Sequence, residues 1–200
     1  MKEIKRSEHA MIICLVRHGQ TDWNIHTLLQ GRTDVPLNEL GIKQAEAVGE
    51  YLAQNDSNWD FILSSPLSRA RKTAEVIAKK IGYDKEIVIV PDAIERYFGE
   101  LEGQPLNEAM YDLLEKGHPG VEKMEDLLTR AKKTIYDLSE KYQGQRVLLV
   151  SHAQFIKAAM ASIDPSFDFR FPLKNSSLNY LEASGGEIKI KEFNIVAQTK

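Results

Sequence analysis

Met11-Ile12-Ile13-Cys14-Leu15-Val16-Arg17-His18-Gly19 is the stretch that decides the fold. Its first six residues are apolar, and their length and β-branched content predict a buried strand. A buried parallel strand has no reason to end in a cation and an imidazole unless something at its carboxyl end uses them. Arg17 and His18 stand at that end. In open α/β sheets this is where ligands bind. Gln20-Thr21-Asp22-Trp23-Asn24 follows as a polar loop rather than more core. The stretch therefore reads as an anion site with a nucleophile already in it.

Outward from this strand the chain alternates strand and helix. Asn38 suits the N-cap of a helix with apolar residues at Ile42, Ala45, Val48 and Leu52. Phe61-Ile62-Leu63-Ser64-Ser65 is a second short strand, and Pro66 suits the first position of a helix running through Ala70, Ala74, Ile77 and Ile81. Ile87-Val88-Ile89-Val90 reads as a third strand, stopped by Pro91. A helical stretch from about Asn107 to Glu115 ends near Gly117-His118-Pro119-Gly120, and a longer helix runs from about Met124 to Tyr142. Arg146 to Ser151 forms a fourth strand that runs into His152 and another helix, which stops before Asp164-Pro165. Leu178 to Leu181 and Glu187 to Phe193, around Gly185-Gly186, read as a β-hairpin. The alternation predicts an α/β fold, a mostly parallel sheet with helices on both faces.

Composition narrows the function classes. With 200 residues, 42% of them hydrophobic and 28% charged, the chain is long enough for one large domain with a genuine core. Residues 1–10 read as an N-terminal extension and 11–200 as the domain, with residues 99–125 as a helical insert lying over the sheet. A net charge of −3 and a pI near 6.0 argue against nucleic-acid binding, so any anion site must be local. The single cysteine, Cys14, excludes an intrachain disulfide and a Cys-rich zinc site. No apolar run approaches a membrane span and no signal pattern precedes Met11, so the expected location is cytoplasmic.

Three strand ends look alike: Arg17-His18, then Ser64-Ser65-Pro66 with Arg69 one turn on, then Ser151-His152. If these strands are parallel, two histidines and two arginines converge on one edge of the sheet. Arg71, two positions from Arg69, falls on a different helix face. In this constellation the chain resembles the histidine phosphatase superfamily, the phosphoglycerate mutase-like family. The resemblance rests on five blocks in order: Leu15 to Asn24 followed by Gln30-Gly31, Pro36 to Gly41, Ser64 to Ala70, Glu95 to Gly103, and Val150-Ser151-His152.

The resemblance implies a three-layer αβα sandwich and a role for each residue. His18 would be the nucleophile that forms a phosphohistidine, neutral because flanking arginines disfavour the imidazolium. Arg17, Arg69 and His152 would hold the phosphoryl oxygens, helped by amides of the helix after His152. Glu95, ahead of its rivals Glu100 and Glu102, would protonate the leaving oxygen and then activate water. Asn24, Gln30, Gly31 and Ala153 would contact phosphate or substrate. No metal and no organic cofactor are implied, because arginines supply the charge.

Departures from the family pattern cluster where substrate would be chosen. Ala153 stands where glycine is usual, which puts the local amide geometry in question, and Gln154 follows as a polar addition to the pocket. Gln30-Gly31, the compact segment between Glu95 and His152, and Asn175-Ser176-Ser177 lean toward the phosphatase branch. The expected activity is metal-independent hydrolysis of a small phosphorylated metabolite by a monomer or homodimer. The alternatives are mutase-type phosphoryl transfer and a non-catalytic phosphate-binding or interaction module.

Overall fold

The structure, a computed structural model, describes residues 10–199; most of the expected N-terminal extension lies outside them. The strands are β1 (Met11–Arg17), β2 (Phe61–Ser64), β3 (Val88–Ile89), β4 (Arg146–Ser151), β5 (Leu178–Ser184) and β6 (Glu187–Ile195). The helices are α1 (Asp22–Ile25), α2 (Glu39–Asn55), α3 (Ser68–Ile81), α4 (Glu108–Lys116), α5 (Met124–Lys141) and α6 (Ala153–Ile163). One sheet holds the strands in the order β3-β2-β4-β1-β5-β6. β1, β4, β2 and β3 run parallel, while β5 pairs antiparallel with β1 and β6 folds back antiparallel on β5 as the C-terminal hairpin.

The continuous apolar run of β1 follows from burial on both faces. Ile13 and Leu15 join Val147, Leu149, Leu127, Ile135 and Phe155 under α5 and α6. Cys14 and Val16 face the other way, with Leu148, Val150, Val48, Leu52 and Ile77 under α2 and α3. Each large aliphatic side chain fully buried there contributes about 1.5–3 kcal/mol. The chain thus leaves β1 toward one face and β4 toward the other. The crevice between two adjacent strands whose connections diverge in this way is a topological switch point.

Register then sets the height of the site. Arg17 pairs with Ser151, and Ser64 with Val150, so Ser65, Ser151 and Arg17 stand at one level with His18 and His152 just beyond.

Local differences from the expected elements have local causes. Pro66 is not the first residue of α3, which begins at Ser68 after Leu67. Ser65 Oγ accepts from the Leu67 amide at 3.3 Å and folds Pro66 into a turn. Asp34 Oδ1 then caps the helix by accepting from Ser68 N at 2.8 Å. The third strand shrinks to Val88–Ile89 because it lies at the sheet edge and Pro91 opens a 3-10 turn. Part of the polar loop after Gly19 is α1, closed by a Thr21–Asn24 capping box.

Candidate active site

His18 follows β1 directly and is 3% exposed. Its amide donates to Ser151 O at 3.0 Å, and its carbonyl accepts from Ser176 N at 3.2 Å and Asn175 Nδ2 at 3.1 Å. The backbone is therefore held on both sides. The ring Nδ1 lies 2.6 Å from Gly19 O, a geometry that requires the proton on Nδ1. Arg69 Nε donates to Nε2 at 3.3 Å, which independently requires a lone pair there. Burial, and then the charges of Arg69 and Arg17, hold the His18 pKa well below the ordinary value of 6.5. Burial outweighs the arginines, the reverse of the emphasis expected from sequence.

Arg69 is 1% exposed, whereas Arg71 points to solvent. Besides His18, it donates from Nη1 to Thr33 O at 2.8 Å and from Nη2 to Gly31 O at 2.7 Å. Arg17 is anchored through Nη1 to Leu173 O. Burial lowers each guanidinium pKa to about 10, and in both cases Glu95 is the nearby charge that most favours the cation.

The His152 ring packs at 5.2 Å from His18, tilted by 57°. Its Nε2 lies 2.7 Å from Ser65 Oγ. That hydroxyl also accepts from Leu67 N, and Nε2 is the one acceptor for its proton among the described residues, an arrangement satisfied by the tautomer with the imidazole proton on Nδ1. His152 Nδ1, Arg17 Nε and Ser176 Oγ are buried polar atoms with no hydrogen-bond partner among the described residues. Burial and the neighbouring Arg69, His18 and Arg17 push the His152 pKa well below 6.5 as well.

Glu95 is 7% exposed and lies at the N-terminus of α6. Its Oε1 accepts from Arg96 N at 2.9 Å and Phe155 N at 3.1 Å, and its Oε2 from Gln154 N at 3.2 Å. A carboxylate has roughly four lone-pair sites, so one site on Oε2 stays open. The amides of Gln154 and Phe155 are thus used by Glu95, which narrows the expected contact between α6 amides and phosphate to Ala153. Ser151 Oγ, donating to Ala93 O at 2.7 Å, ties the approach to Glu95 onto β4. Behind the Glu95 backbone, Arg130 donates to Asp92 O, Ile94 O and both oxygens of Glu122. Burial alone would raise the Glu122 pKa, but Arg130 and the Tyr97 amide bring it below its ordinary value.

The expected substrate contacts separate into different jobs. Asn24 Oδ1 accepts from Thr21 N at 3.0 Å and Asn175 Nδ2 at 3.2 Å, which leaves Nδ2 as its available donor. Gln30 Oε1 accepts from Thr21 Oγ1 at 2.7 Å. Gly31 adopts φ +55° and holds Arg69 through its carbonyl. Ala153 is the first residue of α6 and is not among the positive-φ residues, so a glycine is not required there. Gln154 Oε1 accepts from Arg96 Nη1 at 3.4 Å.

Thr73, Glu122 and Arg130 support the site although the sequence reading gives them no role, and Ser65, Glu102 and Asn175 gain in the fold specific partners that their motifs do not name. Each acts on a neighbouring site residue across long chain separation, as when Gly19 N donates to Thr73 Oγ1 at 3.1 Å. No motif spacing announces such contacts. Beyond Arg96, a cleft of about 630 Å³ opens along residues 114–125. Among the described residues, no group of three or more His, Cys, Asp or Glu side chains is arranged to hold a metal ion, and no helix is long and apolar enough to cross a membrane.

The family model described as histidine phosphatase superfamily (branch 1) matches residues 13–196. The chain is 38% identical over 186 residues to an uncharacterized phosphatase, PhoE, of Bacillus subtilis (strain 168), covering 92% of this chain and 94% of that one. It is 33% identical over 171 residues to a metal-independent phosphoserine phosphatase of Arabidopsis thaliana, covering 78% and 70%. A crystal structure of phosphoserine phosphatase from Entamoeba histolytica in complex with 3-phosphoglyceric acid superposes with a TM-score of 0.81 at 28% identity, covering 93% and 98%. The chain belongs to the histidine phosphatase superfamily, branch 1.

Proposed function

We propose that this protein is a phosphomonoesterase that hydrolyses a small phosphorylated metabolite through a phosphohistidine on His18. The observation that carries the reading is the set of unpartnered buried donors beside an unprotonated imidazole nitrogen. Arg17 Nε and His152 Nδ1 lack acceptors among the described residues, while His18 Nε2 carries a lone pair that only the Arg69 Nε hydrogen bond engages among them. Buried polar groups of this kind call for a partner. A phosphoryl group supplies oxygen acceptors to the donors and an electrophile to the lone pair.

In this reading the Nε2 lone pair forms an N–P bond as the P–O ester bond breaks. Arg17, Arg69 and His152 meet the charge on the three non-bridging oxygens, a preorganised clamp that is the main source of rate. Glu95, through the open site on Oε2, gives its proton to the leaving oxygen. It then takes a proton from water as water attacks phosphorus, and the N–P bond breaks to restore neutral His18. The name of the Arabidopsis relative makes phosphoserine a natural first compound to test.

The test is release of inorganic phosphate from p-nitrophenyl phosphate and from a panel of phosphorylated metabolites, phosphoserine and the phosphoglycerates included, in excess EDTA. Undiminished hydrolysis is expected. Interconversion of 2- and 3-phosphoglycerate without phosphate release would replace hydrolysis by mutase-type transfer, and a strict metal requirement would contradict the clamp.

A further inference from the structure

Glu102 looks from sequence like an ordinary glutamate beside Gly103, yet its carboxylate is a hub. Oε1 accepts from Arg32 N at 2.9 Å and Phe98 N at 3.2 Å. Oε2 accepts from Thr33 N at 2.9 Å and from the Thr33 hydroxyl. Four donors occupy roughly all the lone-pair sites a carboxylate offers. An amide cannot replace the group: the NH2 of a glutamine would face N–H donors on whichever side it occupied.

The residues it grips are those that hold Arg69. Gly31 O and Thr33 O are the acceptors for Arg69 Nη2 and Nη1. They flank Arg32, whose amide Glu102 binds. Gly31 is pressed so closely on the carboxylate that a Cβ there would lie 2.2 Å from Oε1. The Glu102 charge also helps keep the Arg69 guanidinium cationic, after the larger contributions of Glu95 and Asp34. The other bond of Oε1, to Phe98 N, ties this loop to the segment that runs from Glu95 into the insert.

We propose that Glu102 is a positioning residue for phosphoryl transfer. It sets the two carbonyls that aim Arg69, and through Arg69 the donor beside His18 Nε2. The inference rests on the reading of Arg69 as a phosphoryl-oxygen donor, and it adds a residue that acts on Arg69 through the loop of residues 31–33. A loop fastener with no such role would affect stability without energetic coupling to Arg69.

The experiment is a double-mutant cycle in the full chain. It uses Glu102→Gln, Arg69→Ala and the double variant, read by orthovanadate affinity and by turnover of p-nitrophenyl phosphate. Charge-assisted bonds misaligned at one donor predict orthovanadate binding weakened about tenfold or more by Glu102→Gln alone. In the Arg69→Ala background the same change should add less than about twofold. If Glu102→Gln does not fold, Thr33→Ala removes one donor to Oε2 and leaves the Thr33 carbonyl for Arg69. It predicts a smaller loss, again abolished without Arg69. Unchanged affinity, or an equal loss in both backgrounds, overturns the proposal. Failure of orthovanadate to bind the wild-type chain overturns the phosphoryl site and the proposal together. Binding without phosphorylation of His18 overturns only the hydrolytic reading, and the binding cycle still decides Glu102.

Discussion

Arg69 Nε lies 3.3 Å from His18 Nε2, so the guanidinium that would clamp a phosphoryl group also covers the lone pair that would attack it. Its Nη atoms are held on Gly31 O and Thr33 O, which keeps the guanidinium beside Nε2 while Nε passes its hydrogen bond from the imidazole to an arriving phosphoryl oxygen. A lysine ammonium cannot satisfy both carbonyls and also reach the imidazole. Arg69→Lys should therefore lower kcat/KM by about 10²- to 10³-fold, the cost of losing one preorganised donor. Steady-state kinetics check this, and a loss below about tenfold would show that charge alone suffices.

His18 and His152 are both held neutral in the folded protein. Below pH 6.5 the unfolded chain gains protons on these rings that the folded chain does not. Stability is then lost as pH falls, by up to about 1.4 kcal/mol per pH unit for each histidine. Above the ordinary histidine range the two contribute no pH dependence. Thermal melts from pH 8 to 5 should show this acid loss, and His18→Asn should flatten it. An unchanged acid slope in that variant would place the His18 pKa near its ordinary value.

Ser65 Oγ sets the tautomer of His152 by donating to Nε2 at 2.7 Å. Ser65→Ala removes the lock and leaves the Nδ1 proton free to move to Nε2. Turnover of p-nitrophenyl phosphate should fall about tenfold. Wild-type turnover in a folded variant would mean that packing alone orients His152.

Gly31 and Gly82 offer a comparison between strain with and without a clash. Both have positive φ, but a Cβ at Gly82 meets nothing within 4 Å, whereas at Gly31 it would meet Glu102 and Phe98. Gly82→Ala should cost about 1 kcal/mol with activity intact. Gly31→Ala should cost about 1–3 kcal/mol and lower activity as well, because its carbonyl holds Arg69. Chemical denaturation with parallel assays separates the two, and equal activity in both variants would contradict the role given to Gly31.

What the sequence revealed and what it hid follow from the range of the interactions. The β1 run was legible because burial on both faces leaves an unbroken apolar string, and α2 because Asn38 caps it locally, accepting from Gly41 N at 2.9 Å. Arg17, His18 and His152 were legible because polar groups ending buried strands break that pattern. The partners of Ser65, Glu102 and Asn175 are not legible, since each makes its contribution across a register or loop that only the folded chain defines. The occupation of two α6 amides is hidden for the same reason. Nothing along the chain shows that Glu95, which is far from Gln154 in sequence, reaches them first. Pro66 was misplaced because the Ser65 turn competes with the helix for the same residues.

The most direct test of the site is the identity of the phosphorylated residue. Rapid mixing of the enzyme with substrate, an acid-free quench and peptide mass spectrometry should place a single phosphoryl group on His18 Nε2, formed at a rate consistent with turnover and absent from His18→Ala. Phosphate on another side chain, or full turnover by His18→Ala, would contradict nucleophilic catalysis by His18.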